Sequence, residues 1–116
     1  RFFKGFRYAF NGIISAIRSE FNILIEMIIG IITIILGFIL KISITEFCIV
    51  ILCIMVVLSL ELVNTSIEYV VDMTMPKINP LAKIAKDVAA GSVLLASIGS
   101  TIIGIIIYLP KVIDLL

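Results

Sequence analysis

The sequence predicts an all-α membrane protein, an amphipathic helix in the membrane interface followed by three membrane-spanning helices. Three observations predict it. The 116 residues are 62% hydrophobic and only 15% charged, where a soluble domain carries about 45–50% apolar and roughly a quarter charged residues. Mean hydropathy is +1.32, and a domain this small cannot hide so much apolar surface in one core, because small domains bury the smallest fraction of their area. Second, the chain holds three apolar runs, each long enough to cross a bilayer, which takes roughly 20 helical residues. Third, the first nineteen residues sort apolar from basic side chains with the period of a helix.

The N-terminal segment, residues 1–19, differs in kind from the rest. At about 100° per residue, Phe2, Phe3, Phe6, Phe10, Ile13, Ile14 and Ile17 share one face, and Arg1, Lys4, Arg7, Asn11, Ser15 and Arg18 occupy the opposite one. Gly5, Ala9, Gly12 and Ala16 form a small-residue edge between them. Such a helix lies in the headgroup region with its aromatic face in the acyl chains, and the small edge allows another helix to approach closely. The chain opens on Arg1, which predicts a short segment before it.

The first span is 21–40, interrupted only by Asn22 and Glu26. It is about twice the length of a signal peptide's hydrophobic core and lacks a small-residue cleavage site, so it is expected to stay in the mature protein. The second span, 47–71, contains Glu61, Asn64 and Glu68, and the third covers 88–109. Pro76, Pro80 and Pro110 fall outside all three, where a missing N–H costs least. Runs this long favour helices over strands, and no internal repeat or low-complexity linker divides the chain, which is expected to form one domain.

Lysine and arginine placement sets the orientation. Arg1, Lys4, Arg7 and Arg18 precede the first span and Lys77, Lys83 and Lys86 separate the second from the third, while Lys41 and Lys111 fall on the other side. The N-terminus and the 72–87 loop are therefore expected in the cytoplasm of a bacterial cell, with the 41–46 turn and the C-terminus outside. The net charge of +1 gives no overall pull toward nucleic acid.

Histidine is absent, which excludes Ser-His-Asp and Cys-His nucleophiles and His-ligated zinc or haem. Cys48 and Cys53, five apart in an apolar run, point in different directions on a helix and lack the spacing of a zinc pair; they are expected to be packing residues. The informative feature is acid where acid is expensive. Glu20, Glu26, Glu61, Glu68 and Asp72 lie within or beside spanning segments, and an ionisable group there marks a functional site by default. Glu61, Asn64, Thr65, Glu68 and Asp72 follow spacings of 3, 1, 3 and 4, so they form one polar stripe on a helix, with Glu61 about 10 Å deeper than Glu68. Carboxylates converging at one membrane surface offer hard oxygen ligands suited to magnesium. Lys86 and Asp87, with Lys77 and Lys83 nearby, suit magnesium bound to a polyphosphate better than a bare ion. The alternatives are acids that lock a helix bundle through hydrogen bonds, or a cation pathway. The outer part of the third span offers only Ser97, Ser100, Thr101 and Tyr108, which favours a reaction site at one surface. There is no Walker loop, GxGxxG or kinase catalytic triplet.

The run ELVNTSIEYVVD (Glu61–Asp72) followed by PLAKIAKDVAAGSVLL (Pro80–Leu95) resembles the small prokaryotic diacylglycerol kinase and undecaprenol kinase family. The resemblance extends over nearly the whole chain, including the amphipathic start and the Glu20 and Asn22 that open the first span. It implies a homotrimer of three-span subunits that moves the γ-phosphate of magnesium ATP onto a lipid alcohol at the cytoplasmic interface. It implies Glu61 as the general base, Glu20 and Glu68 as magnesium ligands, and Arg1, Tyr8, Glu20, Glu68, Lys77, Asn79, Lys86 and Asp87 as ATP contacts. Glu26, Asn64, Asp72 and Ala90 would support the site or the lipid. The family often has arginine where this chain has Leu24 and histidine where it has Asn79, and some members have histidine at Glu26. The AKDVAAGSVLL wording and the lack of tryptophan resemble the Gram-positive type, which implies undecaprenol as acceptor; diacylglycerol is the alternative. A non-enzymatic channel or transporter subunit is the reading from another class.

Overall fold

A computed structural model describes residues 1–74 and 79–116. They form four helices: α1 (Phe2–Ser19), α2 (Phe21–Leu40), α3 (Ile44–Thr74) and α4 (Pro80–Leu115). The last three are long and apolar enough to cross a membrane. α2 matches the expected span; α3 and α4 run well beyond the apolar stretches that mark them in sequence. At 1.5 Å per residue, the 31 residues of α3 and 36 of α4 reach about 46 and 54 Å, against roughly 30 Å of hydrocarbon. Each therefore carries turns of helix outside the bilayer core.

Local chemistry fixes the ends. α2 closes in a Schellman turn: the Ile42 N–H donates to Gly37 O (3.1 Å) and the Lys41 N–H to Phe38 O (3.3 Å). Lys41 adopts the left-handed conformation (φ 57°), a position glycine fills more easily. The next helix starts with a reciprocal cap, in which Ser43 N–H donates to Glu46 Oε1 (2.8 Å) and Glu46 N–H to Ser43 Oγ (3.1 Å); the S-x-x-E spacing makes this a capping box. That hydrogen bond from Ser43 holds the Glu46 carboxyl below its usual pKa, with Lys111 adding a smaller attraction. At the opposite end, Asn79 Oδ1 accepts from Leu81 N–H (2.9 Å) and Ala82 N–H (3.3 Å), and Pro80 takes the first helical position, where its missing N–H is no loss. This cap starts the helix at Pro80, eight residues ahead of the apolar run that begins at Val88. α4 continues through Pro110, so that proline lies inside a helix, contrary to its expected place beyond one.

α4 packs chiefly along α3, and α1 touches α2 and α3. The core is small: Ile42, Val50 and Ile107 are buried, with Phe47, Ile54 and Tyr108 packed against them. Gly37 makes this packing possible, since a Cβ there would stand 2.8 Å from Phe47 Cε1 and 3.0 Å from Ile42 Cδ1. Gly30 does the same one level deeper against Ile54. α2 and α4 are tied by the Tyr108 hydroxyl, which donates to Thr33 O (2.7 Å). Most other large apolar side chains are exposed, as a chain solvated by lipid allows. On α1, the aromatic face of Phe2, Phe3, Phe6 and Phe10 is exposed and Ala16 is the buried residue of the small edge; Gly5 and Gly12 meet no atom within 4 Å of where a side chain would begin.

Candidate active site

The acidic stripe lies on the face of α3 that α2 and α4 approach. Thr65 is buried, Glu61, Asn64 and Glu68 are half-buried, and Asp72 is exposed at the end of the helix. The stripe is internally connected: the Asn64 side-chain amide donates to Glu68 Oε1 at 2.8 Å. The other side of that amide, Oδ1, is buried and has no donor among the described residues. Glu26 of α2 brings its carboxyl within hydrogen-bonding reach of Glu61. A buried acceptor with no donor costs about 1–3 kcal/mol, so Asn64 Oδ1 marks a position organised for something other than stability.

α4 supplies the positive charge. Lys86 Nζ donates to Asp72 Oδ1 at 2.8 Å, bridging α4 to the end of the stripe. Lys86 lies before the apolar part of α4, and the bond to Asp72 raises its pKa above the usual 10.5, with Glu68 adding a smaller attraction. Lys83 pairs with Asp87 one turn away (2.7 Å) along the same helix. Both pairs are solvent-exposed, and exposed ion pairs contribute only about 0–1 kcal/mol; they matter here for the charge they hold at one membrane surface.

The expected site residues distribute as follows. Glu61, Asn64, Glu68, Asp72 and Lys86 come together with Glu26. Glu20 sits in the extended joint between α1 and α2, half-buried, where its side chain makes no helix cap. Arg1 and Tyr8 are exposed on α1, and Ala90 is exposed on α4 beside buried Ala89. Asn79 spends its Oδ1 on the α4 cap. Lys77 lies outside the described residues. No group of three or more acidic or cysteine side chains forms a metal cage among the described residues. Magnesium does not require one, because it binds through one or two carboxylates and completes its shell with water and phosphate oxygens. An oxygen-only set, with Glu68 held by one bond and Asn64 Oδ1 unpartnered, fits that ion.

Sequence reasoning missed the contact between Glu26 and Glu61, which depends on the register of α2 against α3. A weak signal was available: Glu26 is the one acid in the interior of the first span. The tie from Tyr108 to Thr33 was missed as well, with 75 residues between the partners and no pattern linking them.

Three apolar helices of span length, with acids and lysines gathered at one end, define a multi-pass membrane protein. Residues 7–108 match the prokaryotic diacylglycerol kinase family, and the chain belongs to this family of lipid kinases. It is 45% identical over 111 residues to an undecaprenol kinase of Bacillus subtilis, covering 96% of this chain and 90% of that one. It is 38% identical over 112 residues to a diacylglycerol kinase of Synechocystis, covering 96% of this chain and 64% of that protein.

Proposed function

We propose that the protein is a magnesium- and ATP-dependent undecaprenol kinase, working as a homotrimer in the bacterial cell membrane with its N-terminus and site toward the cytoplasm. The observation that carries the reaction is the α3 stripe, with a carboxylate two turns inside the bilayer surface and Lys86 at its outer end. A phosphoryl donor belongs at the charged surface and a lipid hydroxyl just below it, and the stripe spans both. Stronger likeness to the undecaprenol kinase than to the diacylglycerol kinase supports the choice of lipid.

Phosphoryl transfer depends on positioning and charge stabilisation rather than covalent chemistry by the protein. Glu61 accepts the proton of the lipid hydroxyl as its oxygen bonds to the γ-phosphorus, and the bond from that phosphorus to the β-γ bridging oxygen breaks to release ADP. Glu20 and Glu68 would hold magnesium, which would supply neutralisation of the phosphate charge. Asn64 fixes the Glu68 carboxylate through its amide, and Asp72 holds Lys86 toward the phosphates. Asp87, Arg1, Tyr8 and Lys77 meet the nucleotide, and Asn79 reaches it through its amide nitrogen while its Oδ1 caps the helix. Glu26 lies where the lipid hydroxyl approaches Glu61, and Ala90 leaves room on α4 for a substrate.

The test is phosphate transfer from ATP in detergent micelles to undecaprenol or to diacylglycerol, each titrated to saturation. A higher kcat/KM for undecaprenol is expected. Preference for diacylglycerol would overturn the choice of lipid, and transfer to neither would overturn the kinase reading.

A further inference from the structure

α2, α3 and α4 leave between them a cavity of about 360 Å³. It begins at Glu26, whose carboxyl faces Glu61, and runs outward along α4 from Ser97 to Tyr108. Eleven residues of helix make this about 16 Å long. Ile29, Val57, Leu58 and Ile103 give it apolar walls. Three of its five hydroxyls are spent: that of Thr33 donates to Ile29 O, that of Thr101 to Ser97 O and that of Tyr108 to Thr33 O, while those of Ser97 and Ser100 donate to no group among the described residues. A space whose threonine and tyrosine donors are already used suits hydrocarbon better than water or an ion. The empty volume owes something to Gly104, which lines it and where a Cβ would meet nothing within 4 Å. The outer end is closed by Tyr108 on Thr33 and by the packing at Gly37.

We infer that this cavity receives the hydroxyl-proximal stretch of a single hydrocarbon chain of the lipid acceptor, with Tyr108 and Thr33 as its far wall. The inference rests on the lipid-kinase reading and adds to it a chain site. The occupant follows from the length of the cavity: a carboxylate beside the proposed base stands at one end, and from there the walls are mainly apolar as far as Tyr108. A lipid alcohol has the same polarity pattern, with one hydroxyl at the tip of an apolar chain. The site contributes orientation rather than affinity. A chain that leaves the bilayer exchanges one apolar surrounding for another, so holding it gains little by burial. Instead it fixes the hydroxyl against Glu61, and misplacing a reacting group by about 1 Å can cost on the order of 100-fold in rate.

Gly104→Leu extends into the cavity from a position where a Cβ meets nothing within 4 Å. Gly99→Leu adds the same side chain on the same helix at another open position that does not line the cavity. With full-length protein in micelles, Gly104→Leu should lower kcat/KM for undecaprenol by roughly 10- to 100-fold with KM for ATP unchanged, and Gly99→Leu should behave as wild type. A Gly104→Leu enzyme within twofold of wild type on undecaprenol would overturn the chain site while leaving the kinase reading intact. Loss of self-association in folded Gly104→Leu protein would also overturn it and assign the cavity to a second copy. A readout independent of any variant is a photoreactive undecaprenol carrying a diazirine in its second or third isoprene. On wild-type protein it should label the cavity-lining Ser97, Ser100, Thr101, Ile103 or Gly104 of α4, and labelling confined to lipid-facing Leu94, Leu95 and Ile98 would refute the site. Transfer of phosphate to no lipid alcohol at all would instead remove the kinase reading on which it rests.

Discussion

Asn64 separates function from stability more cleanly than any other residue of the site. Replacing it with leucine, of similar volume, removes the amide donor that meets Glu68 Oε1 at 2.8 Å. A hydrogen bond to a charged group contributes about 1.5–3 kcal/mol. The same substitution also removes Asn64 Oδ1, a buried acceptor with no donor, whose burial costs about 1–3 kcal/mol. The two terms are of like size and opposite sign, so the folded protein should change in stability by no more than about 2 kcal/mol. Function should not be spared. Losing a partner that orients a metal ligand typically costs about 10–100-fold in metal affinity or activity. The assay is lipid phosphorylation against magnesium concentration at saturating ATP and lipid, beside thermal unfolding in the same detergent. Asn64→Leu should need about 10–100-fold more magnesium for half-maximal rate, with KM for the lipid and the melting midpoint little changed. An unaltered magnesium requirement would refute the orienting role, and collapse of the fold would refute the cancellation.

The remaining predictions concern the packing and the ion pair. Gly37→Ala places a methyl against Phe47 and Ile42 at the α2–α3 turn and should destabilise by about 1–3 kcal/mol, as overpacking does; thermal unfolding in detergent should show it, with KM for ATP unchanged. Asp72→Asn weakens an exposed tie to Lys86, so unfolding should shift by no more than about 1 kcal/mol while KM for ATP rises. Lys86 has its folded pKa raised above 10.5. The stability this adds is therefore complete below that value and lost as pH climbs above it. The wild-type difference from Asp72→Asn should then stay constant between about pH 6 and 9, and a step inside that range would contradict the assignment.

Much of the fold was legible because membrane solvation simplifies the code. An apolar run of span length has few fates other than a spanning helix, which is why α2 falls at residues 21–40 as expected. Helix ends outside the hydrocarbon were less legible. α4 starts at Pro80, where Asn79 and Pro80 cap it, and that signal is short beside the end of the lysine-bearing stretch at Val88. Lys41 closes α2 in a conformation usually left to glycine, so composition gave no warning of so tight a turn. In the site, the stripe of Glu61, Asn64, Glu68 and Asp72 was visible because its members share one helix, where spacing sets the face. Contacts between helices were not: Glu26 against Glu61, and Tyr108 on Thr33, depend on axial register and crossing, which no single-helix pattern encodes. Lys86 stands between these cases. Its proximity to the acids was visible from the loop's charge, but not its choice of Asp72 as partner.

The central claim is that the stripe on α3 moves phosphate to a lipid hydroxyl with Glu61 as the base. The most direct measurement is transfer of labelled γ-phosphate from ATP to undecaprenol by wild type and by Glu61→Gln, which keeps the shape and hydrogen-bonding reach of the side chain but accepts no proton. Wild type should form labelled undecaprenyl phosphate. Glu61→Gln should be slower by about 100- to 10,000-fold, the usual contribution of a general base, while still binding ATP and inserting in the membrane as wild type does. A Glu61→Gln enzyme that phosphorylates undecaprenol at a rate near wild type would contradict the account.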